Sequence, residues 1–478
     1  MTKSGVIIII THKNTKSSKK EIMLFSRKDL FKIIWPLMLQ QLLTVTIGMI
    51  DSVMVSSAGD AAVSGVSLVN TLDLFLIYVF LALATGGAVV ISQALGRRDK
   101  EFACGAAKQL VYAVLVVSTV LTATVVILRK PLLALLFGDV EDAVMENALD
   151  YFFYVALSFP FLGIYESIAA TFRAAGNSII SLRISLVMNL LNVGGNAFLI
   201  YALQMGAAGA AIATLASRVI GAGIMLVLIH NKRLEVYITK LFSYKPDWRV
   251  IKSMLRIGVP SGIENGVFQL GKLMTQSLVS TFSTATIAAN AVASSIASLH
   301  YVPGNAIGTA SVAVVGKCIG AGEERQAKKY SRVLLCVAYA SLFVLVAVMS
   351  LFLRQIIGIY DVSAESAALA RDISLYHGFA AVFLWPVAFC LPHVFRSASD
   401  VKFTLVTSIT SMWIFRVILG YFFALESVSV FGLVTLPGLG LGVMGVWYAM
   451  TVDWCFRFVL YLVRFLRGKW LSKHRVRV

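Results

Sequence analysis

Gly96-Arg-Arg-Asp-Lys-Glu-Phe-Ala103 and Gly320-Ala-Gly-Glu-Glu-Arg-Gln-Ala327 are two short polar breaks, each following a long apolar run. Gly96 and Gly320 differ by 224 in position, and so do Pro36 and Pro260, each of which opens an apolar run after a basic stretch. Phe172-Arg173 answers Phe395-Arg396 at an interval of 223. A spacing held without a gap from proline to glycine marks a duplicated unit rather than chance likeness between apolar segments.

Working outward from these landmarks, twelve apolar runs of spanning length appear, near 33–57, 66–95, 108–128, 148–172, 181–203, 207–230, 257–283, 287–316, 331–353, 373–395, 402–424 and 441–465. A membrane-spanning helix needs about 20 such residues. Composition agrees: 58% of residues are hydrophobic and 14% charged, against roughly 25% charged in soluble domains, and mean hydropathy is +0.83. The expected fold class is all-α integral membrane, with twelve transmembrane helices as two pseudo-symmetric six-helix bundles. Residues 31–230 form the first bundle, 231–256 a cytoplasmic linker and 257–466 the second; 1–30 and 467–478 are basic cytoplasmic tails. With six helices per half the repeat is parallel, and such repeats hold their site between the halves near mid-membrane.

The net charge of +18 could suggest nucleic acid, but the basic residues sit in short breaks between spans, as in cytoplasmic loops. Arg97, Arg98, Lys100, Arg173, Arg183, Lys232 through Arg256, Lys317 through Arg332, Arg396 and Lys402 mark one side; Asp139, Glu141, Asp142 and Glu146 mark the other. The positive-inside rule then puts both termini in the cytoplasm. The setting is a plasma membrane, bacterial by its short tails and compact loops, with no nucleic-acid partner and a monomer as the working unit. Cys104, Cys318, Cys336, Cys390 and Cys455 form no CxxC pair, which argues against disulfides and structural zinc. Val6–Ile10 is too short for a signal-peptide core; residues 1–22 read as a solvated tail that a natural start at Met23 would exclude.

Trp35-Pro36, Asp51 in Ile50-Asp-Ser-Val-Met-Val55, Phe172-Arg173-Ala-Ala-Gly-Asn177, Asn189-Leu-Leu-Asn192-Val-Gly-Gly-Asn196-Ala-Phe-Leu-Ile-Tyr201 and Gly206-Ala-Ala-Gly-Ala-Ala-Ile-Ala-Thr214 follow one another in the first half. Ile257-Gly-Val-Pro260, Met412-Trp-Ile-Phe-Arg416, Gly442-Val-Met-Gly-Val-Trp447 and Gly468-Lys-Trp470 follow in the second. In order and spacing, from about residue 30 to 470, this resembles the multidrug and toxic compound extrusion (MATE) family. The resemblance implies a V-shaped pair of bundles alternating between inward-open and outward-open states, and export of organic cations and other amphiphiles against inward flow of Na+ or H+. No cofactor beyond the coupling ion, and no metal beyond Na+ at Asp51, is implied.

Asp51 is the sharpest candidate from the residues themselves. A carboxylate among Met49, Ile50, Val53 and Met54 at membrane depth costs on the order of several kcal/mol unless it is paired, hydrated or protonated, which suits a group that loads and releases a cation. Asn192, Asn196 and Thr214 match family positions beside that acid; the two asparagines, four apart, share a helix face and offer hard oxygen ligands. Several relatives carry a second Asp where this chain has Asn196, so a pocket with one carboxylate is expected. Glu264, Phe268 and Lys272 recur at four-residue steps with Gln269 nearby, an arrangement that could recognise an amphipathic cation, although Lys272 would repel a cation or neutralise Glu264. Gln40 is counted with this substrate set. Glu166, Asp73, Asp453, Arg218, Arg416 and Arg457 also fall in or near spans, with no transport role assigned.

Gly266-Val-Phe-Gln-Leu-Gly271-Lys272 imitates a phosphate loop, but Leu273 follows and the stretch lies in an apolar helix. Energy is therefore expected from a gradient. His300, His377 and His393 show no zinc-ligand spacing and read as packing residues. The leading reading is a cation-coupled antiporter exporting organic cations or amphiphilic drugs. The alternative is a flippase for a lipid-linked or amphiphilic precursor, toward which Lys272 leans. A membrane-embedded transferase lacks the paired acids its chemistry needs, so no enzyme activity is expected.

Overall fold

Ser26 starts the first helix with a capping box: its hydroxyl accepts from the Asp29 amide at 3.2 Å, and the Asp29 carboxylate accepts from the Ser26 amide at 2.9 Å. The computed structural model describes residues 23–471 apart from positions 139, 240, 242, 244 and 431–433. The ends of both expected tails, 1–22 and 472–478, and the loop acid Asp139 lie outside the described residues.

Twelve long helical segments follow in order. They are α1 (Arg27–Ser56), α2 (Asp60–Gly96), α3 (Lys100–Phe137), α4 (Asp142–Leu157 and Phe159–Ala175), α5 (Ser178–Ala202), α6 (Gly206–Ile229), α7 (Trp248–Val279), α8 (Thr284–Gly320), α9 (Glu324–Leu351), α10 (Ala364–Ser397), α11 (Val401–Ala424) and α12 (Gly442–Leu466). Among the described residues nine are long and apolar enough to cross a membrane alone, and α4, bent by 45° at Ser158, makes a tenth. The other two, α7 and α12, carry the charges that lower their hydropathy, among them Glu264 and Lys272 on one and Asp453 and Arg457 on the other. Ile127, Val227 and Phe379 face outward, as they can where the surroundings are lipid.

Several helices outrun the apolar stretches from which they were expected. α3 begins at Lys100 because Asp99 accepts from the Phe102 amide at 3.0 Å, and α7 begins at Trp248 because Asp247 accepts from the Arg249 amide at 3.0 Å. Helical hydrogen bonding continues into polar sequence until a cap satisfies the end. The last nine residues of the stretch read as a linker, 248–256, are accordingly helical. A hairpin that no periodicity announces, β1 (Ser427–Val430) antiparallel to β2 (Val434–Pro437), joins α11 to α12. Wide π turns interrupt α5 at Ala197–Ala202, α10 at Pro386–Cys390 and α11 at Ser411–Ile418.

The halves build separate cores. One draws its buried apolar residues from 54–257, with Val312 and Val401; the other draws from 278–471, with Leu30, Ile33, Ile34 and Leu37. The first turns of α1 thus pack into the second core, and Val250, Met254 and Ile257 of α7 pack into the first. Leu30 and Met254, like Ile33 and Ile257, stand 224 apart, so the exchange obeys the repeat.

The halves meet at the end that carries the basic loops. A Cβ on Gly96 would lie 2.1 Å from the Lys317 carbonyl oxygen, one on Gly320 2.0 Å from that of Gln93, and one on Gly316 2.1 Å from Ser92 Oγ. Hydrogen is the only substituent that fits, so the backbones touch. Farther along, Gly86 meets Met254 and Gly258 meets Ala82 in the same manner. Polar bonds add to the seam: Gln93 Nε2 donates to the Ser397 carbonyl at 2.7 Å, and Lys317 Nζ donates to the Ala175 carbonyl at 2.8 Å and to Glu235 Oε2 at 3.0 Å.

A side chain at Gly96 should therefore pry this end open. With the native cysteines changed to serine, a Ser92→Cys probe, buried in this conformer, should react slowly with a maleimide. Adding Gly96→Leu should speed that reaction about tenfold or more, as a shift of a kcal/mol or two between conformers would. Unchanged labelling would contradict a close backbone seam.

Candidate functional site

The first half encloses a polar cavity of about 350 Å³, lined from α1, α2, α5 and α6 with Tyr151 of α4. Asp51 faces it from α1 and accepts from Asn196 Nδ2 at 2.8 Å. The network orients the Asn192 amide with its nitrogen on Asp51, 3.0 and 3.3 Å from the two carboxylate oxygens, and its oxygen accepting from Thr214 Oγ1 at 3.1 Å. The structure thus brings Asp51, Asn192, Asn196 and Thr214 together. One helical turn separates the two asparagines, which puts both amides on the carboxylate. The π turn that starts at Ala197, directly after Asn196, lies beside this cluster, as such irregular turns often do at functional sites.

A second acid shares the cavity, which corrects the expectation of a single carboxylate. Asp73 of α2 pairs with Arg218 of α6 at 3.7 Å, and Arg218 Nη1 donates to Ser158 Oγ at 2.6 Å. The break in α4 at Ser158 is what presents that hydroxyl. With Arg218 counted, two carboxylates against one guanidinium leave the cavity one negative charge, Asp51. Two buried oxygens here, Asp73 Oδ1 and Asn196 Oδ1, have no hydrogen-bond partner. Unsatisfied acceptors at such depth favour a proton or a cation.

The second cavity, about 260 Å³, lies where α2 and α7 meet the second bundle and is lined from α2, α7, α8, α10, α11 and α12. Four cations face it: Lys272, Arg396, Arg416 and Arg457. Arg396 pairs with Glu264 at 2.9 Å, and Ser408 Oγ donates to the other Glu264 oxygen at 2.6 Å. Arg457 Nε donates to Asp453 at 2.8 Å, while Nη1 and Nη2 donate to Ser408 Oγ and O at 2.8 and 3.1 Å. Arg416 reaches the other Asp453 oxygen only at 3.9 Å. The Phe268 ring centre lies 5.4 Å from Lys272 Nζ, 5.6 Å from Arg416 and 5.3 Å from Arg457.

Of the expected substrate set, Glu264, Phe268, Gln269 and Lys272 line this cavity, and Gln269 Nε2 donates to Tyr78 on α2 at 3.0 Å. Gln40 lines neither cavity; it sits against Ser181, whose Oγ donates to it at 3.3 Å. Glu264 lines the cavity as expected, but with its carboxylate held in an ion pair. Its carboxylate neither seeks the membrane surface nor faces Lys272; it is buried and bound by Arg396 and Ser408, and Phe268 is already flanked by three cations. Asp73, Arg218, Arg396, Arg416 and Arg457 also line the cavities, with Asp453 paired to Arg457; the quoted motifs contained Arg396 and Arg416 but gave them no role. Their signal was in the sequence, since a charge within a spanning helix is seldom idle. Two of the histidines are neighbours, His300 Nδ1 lying 3.1 Å from His377 Nδ1, and no group of potential metal ligands occurs among the described residues.

The MatE family profile matches the chain twice, over residues 36–198 and 260–422, each match beginning at one of the two repeat prolines. The chain is similar to Uncharacterized transporter YisQ of Bacillus subtilis, at 26% identity over 462 residues, covering 93% of this chain and 95% of that protein. It is equally similar to Probable multidrug resistance protein NorM of Thermotoga maritima, at 26% over 468 residues, 94% and 96% covered. A MOP superfamily transporter from Pyrococcus furiosus, described by a binding pocket of reverse polarity that suggests a different function, superposes with a TM-score of 0.81 at 21% identity, covering 92% of this chain and 95% of its own. A multidrug resistance MATE family transporter in an outward-facing conformation gives 0.80 at 21%, with 92% and 95% covered. At that identity the likeness is one of fold.

The Asp453–Arg457 pair tests the electrostatics. Removing one partner of a buried pair costs about 3–5 kcal/mol, because the other is left unanswered. Arg457→Gln should lower the unfolding temperature of the purified protein sharply, and adding Asp453→Asn should recover more than half of the loss. An undiminished Arg457→Gln would mean that water already reaches Asp453.

Proposed function

The chain belongs to the MatE family, the multidrug and toxic compound extrusion transporters, and on that premise we propose that it is an antiporter that couples inward movement of Na+ or H+ at Asp51 to export of an amphiphilic small molecule. It is a multi-pass membrane protein of a family of transporters rather than enzymes. The observation that carries the proposal is the cluster of Asp51, Asn192, Asn196 and Thr214, drawn from α1, α5 and α6 around one net negative charge.

Coupling follows from what α1 touches. Its first turns are embedded in the second core, while Asp51 lies among helices of the first. In the described conformer both amides donate to Asp51, the arrangement of a charged carboxylate. A bound Na+ or an added proton weakens the need for those donors: Na+ can take both amide oxygens as ligands, whereas the single acid proton can be given to only one of them. That exchange changes how tightly α1 is held against α5 and α6, and through its embedded start it changes the angle between the lobes. An ion that binds one conformer more tightly shifts the population toward it.

By the positive-inside rule the seam at Gly96 and Gly320 is cytoplasmic, both termini are cytoplasmic, and this conformer is open to the outside of a plasma membrane, bacterial as in the Bacillus and Thermotoga relatives. The protein works as a monomer. Export of organic cations, the first expectation, is not what the second cavity favours, because Glu264 is engaged and cations predominate there. That same basic cavity supports the flippase-like alternative in one respect, a cargo with an anionic headgroup.

Purified protein in liposomes under separate Na+ and proton gradients tests the reading. Asp51→Asn should reduce gradient-driven efflux to the protein-free background while the protein remains folded in the membrane. Efflux at the wild-type rate would overturn the role of Asp51. Asn196→Asp adds a second unpaired carboxylate beside Asp51 and should strengthen the dependence on Na+, measured as a lower Na+ concentration for half-maximal efflux. No change would remove Asn196 from the ion site.

A further inference from the structure

We propose that the second cavity binds an amphiphilic anion, its carboxylate or phosphate headgroup seated between Lys272 and Arg416 and its apolar body laid on the aromatic wall of Phe268, Phe389 and Trp385. The inference deepens the antiport reading by naming the class of cargo, and it rests on that reading for the coupling step only.

The argument is a count of charges and of what answers them. Four cations line the cavity, and two carboxylates, Glu264 and Asp453, are bound to them. Arg396 and Arg457 take those carboxylates at 2.9 and 2.8 Å. Arg416 has only the long contact of 3.9 Å, to an Asp453 oxygen that forms no hydrogen bond. Lys272 Nζ has no ion pair or hydrogen bond among the described residues, only the ring of Phe268. Two positive charges are left over, and both lie within 6 Å of the centre of one ring, Phe268. Like charges gathered in a partly dehydrated cleft repel more strongly than in water, and an anion placed between them relieves that repulsion. A third donor is ready as well: Arg396 is 7% exposed, and its Nε is buried without a hydrogen-bond partner.

The walls complete the site. Trp385 stacks on Phe389 at 5.0 Å, with Trp454 edge-on to Phe389 at 5.9 Å. Aromatic surface beside paired cations fits an aromatic carboxylate or an acyl phosphate, and it repels the quaternary ammonium that an acidic, aromatic pocket would hold. The first cavity has the opposite sign, with one net negative charge at Asp51. Coupling cation and cargo therefore occupy separate sites of complementary polarity.

Binding to the full-length transporter in phosphatidylcholine nanodiscs tests this, read by quenching of tryptophan fluorescence with matched probes: 2-naphthoate and 2-naphthylmethyl-trimethylammonium. Naphthoate should bind about tenfold or more tightly than the ammonium probe, and Lys272→Gln and Arg416→Gln should each weaken naphthoate about tenfold. Arg416→Lys, which keeps the charge, should retain most of the affinity and shows that loss is not misfolding. Tighter binding of the ammonium probe, or naphthoate affinity indifferent to both Gln variants, would overturn the inference. Lysophosphatidate as competitor separates the sources of the shared chemistry: displacement of naphthoate supports a lipid-borne headgroup, and failure to displace supports a water-soluble carboxylate. In liposomes, naphthoate export that ignores both ion gradients leaves the anion site standing and removes the antiport reading. Gradient-driven export of the ammonium probe without naphthoate does the reverse.

Discussion

A charge held at membrane depth has to be answered by an opposite charge, by hydrogen bonds, or by something the protein binds, because lipid supplies none of these and the cost of leaving it unanswered is severe. Much of the chain's architecture follows from how each half meets that demand. In the first half Asp73 is answered by Arg218 and Asp51 by two amides, which leaves one carboxylate satisfied without a counter-charge. In the second half Glu264 and Asp453 are answered by arginines, and Lys272 and Arg416 remain in excess. Structural pairs and functional vacancies are thus distinguished by arithmetic within each cavity. A residue's charge alone decides nothing: Glu264 is as acidic and as buried as a coupling acid would need to be, yet it is spoken for.

The halves are joined so that neither cavity can change alone. α1 begins in the second core and carries Asp51 into the first; α7 begins in the first core and carries Phe268 and Lys272 into the second. Each exchanged helix passes a proline, Pro36 or Pro260, between its embedded start and its functional residues. Proline removes a backbone hydrogen bond and lets a helix bend there. The duplication therefore does more than double the helix count. It gives each cavity a lever planted in the opposite lobe, pivoting about glycine contacts at one end where the backbones are too close to slide apart without a collective movement.

The repeat and the bundle architecture were legible because they rest on apolar runs, two prolines and two glycines, signals that survive without knowledge of neighbours. Helix ends were misjudged wherever a cap such as Asp99 or Asp247 prolonged a helix beyond its apolar stretch. The cluster around Asp51 was legible mainly through the family resemblance, which supplied Asn192, Asn196 and Thr214; spacing along the chain added only that the two asparagines share a helix face. Three features were not legible: the carboxylate of Asp73 beside Asp51, the capture of Glu264 by Arg396, and the convergence of Lys272 and Arg416 on one ring. The first depends on how α1 packs beside α2, and the other two on pairing across more than 100 residues of sequence. Arg396 lies at the second-half counterpart of Phe172-Arg173, where the first half pairs Arg173 with Glu166 seven residues away at 3.2 Å. The duplicated arginine took a local partner in one half and a distant one in the other: the counterpart of Glu166 at the same interval is Phe389, so the chain shows that the local acid is missing but not which distant acid replaces it.

Opposite polarity in the two cavities bears on how the proposed antiport would be driven. When a cation and a cationic cargo share one carboxylate, coupling comes from competition and the exchange of like charges cancels electrically. Separate sites for a cation and an anion allow no such competition, so the lobe angle itself must carry the coupling: the cation has to prefer the conformer that releases the anion. The electrical consequence is also reversed. A cation entering and an anion leaving move charge in the same direction, and each elementary charge is worth about 2.3 kcal/mol per 100 mV. Under the proposed reading an interior-negative membrane would drive both movements, and the exchange would draw on the potential as well as on the concentration gradient of the coupling ion. A weak cation site suffices under those conditions, which removes the need for the second unpaired carboxylate that this chain lacks at Asn196.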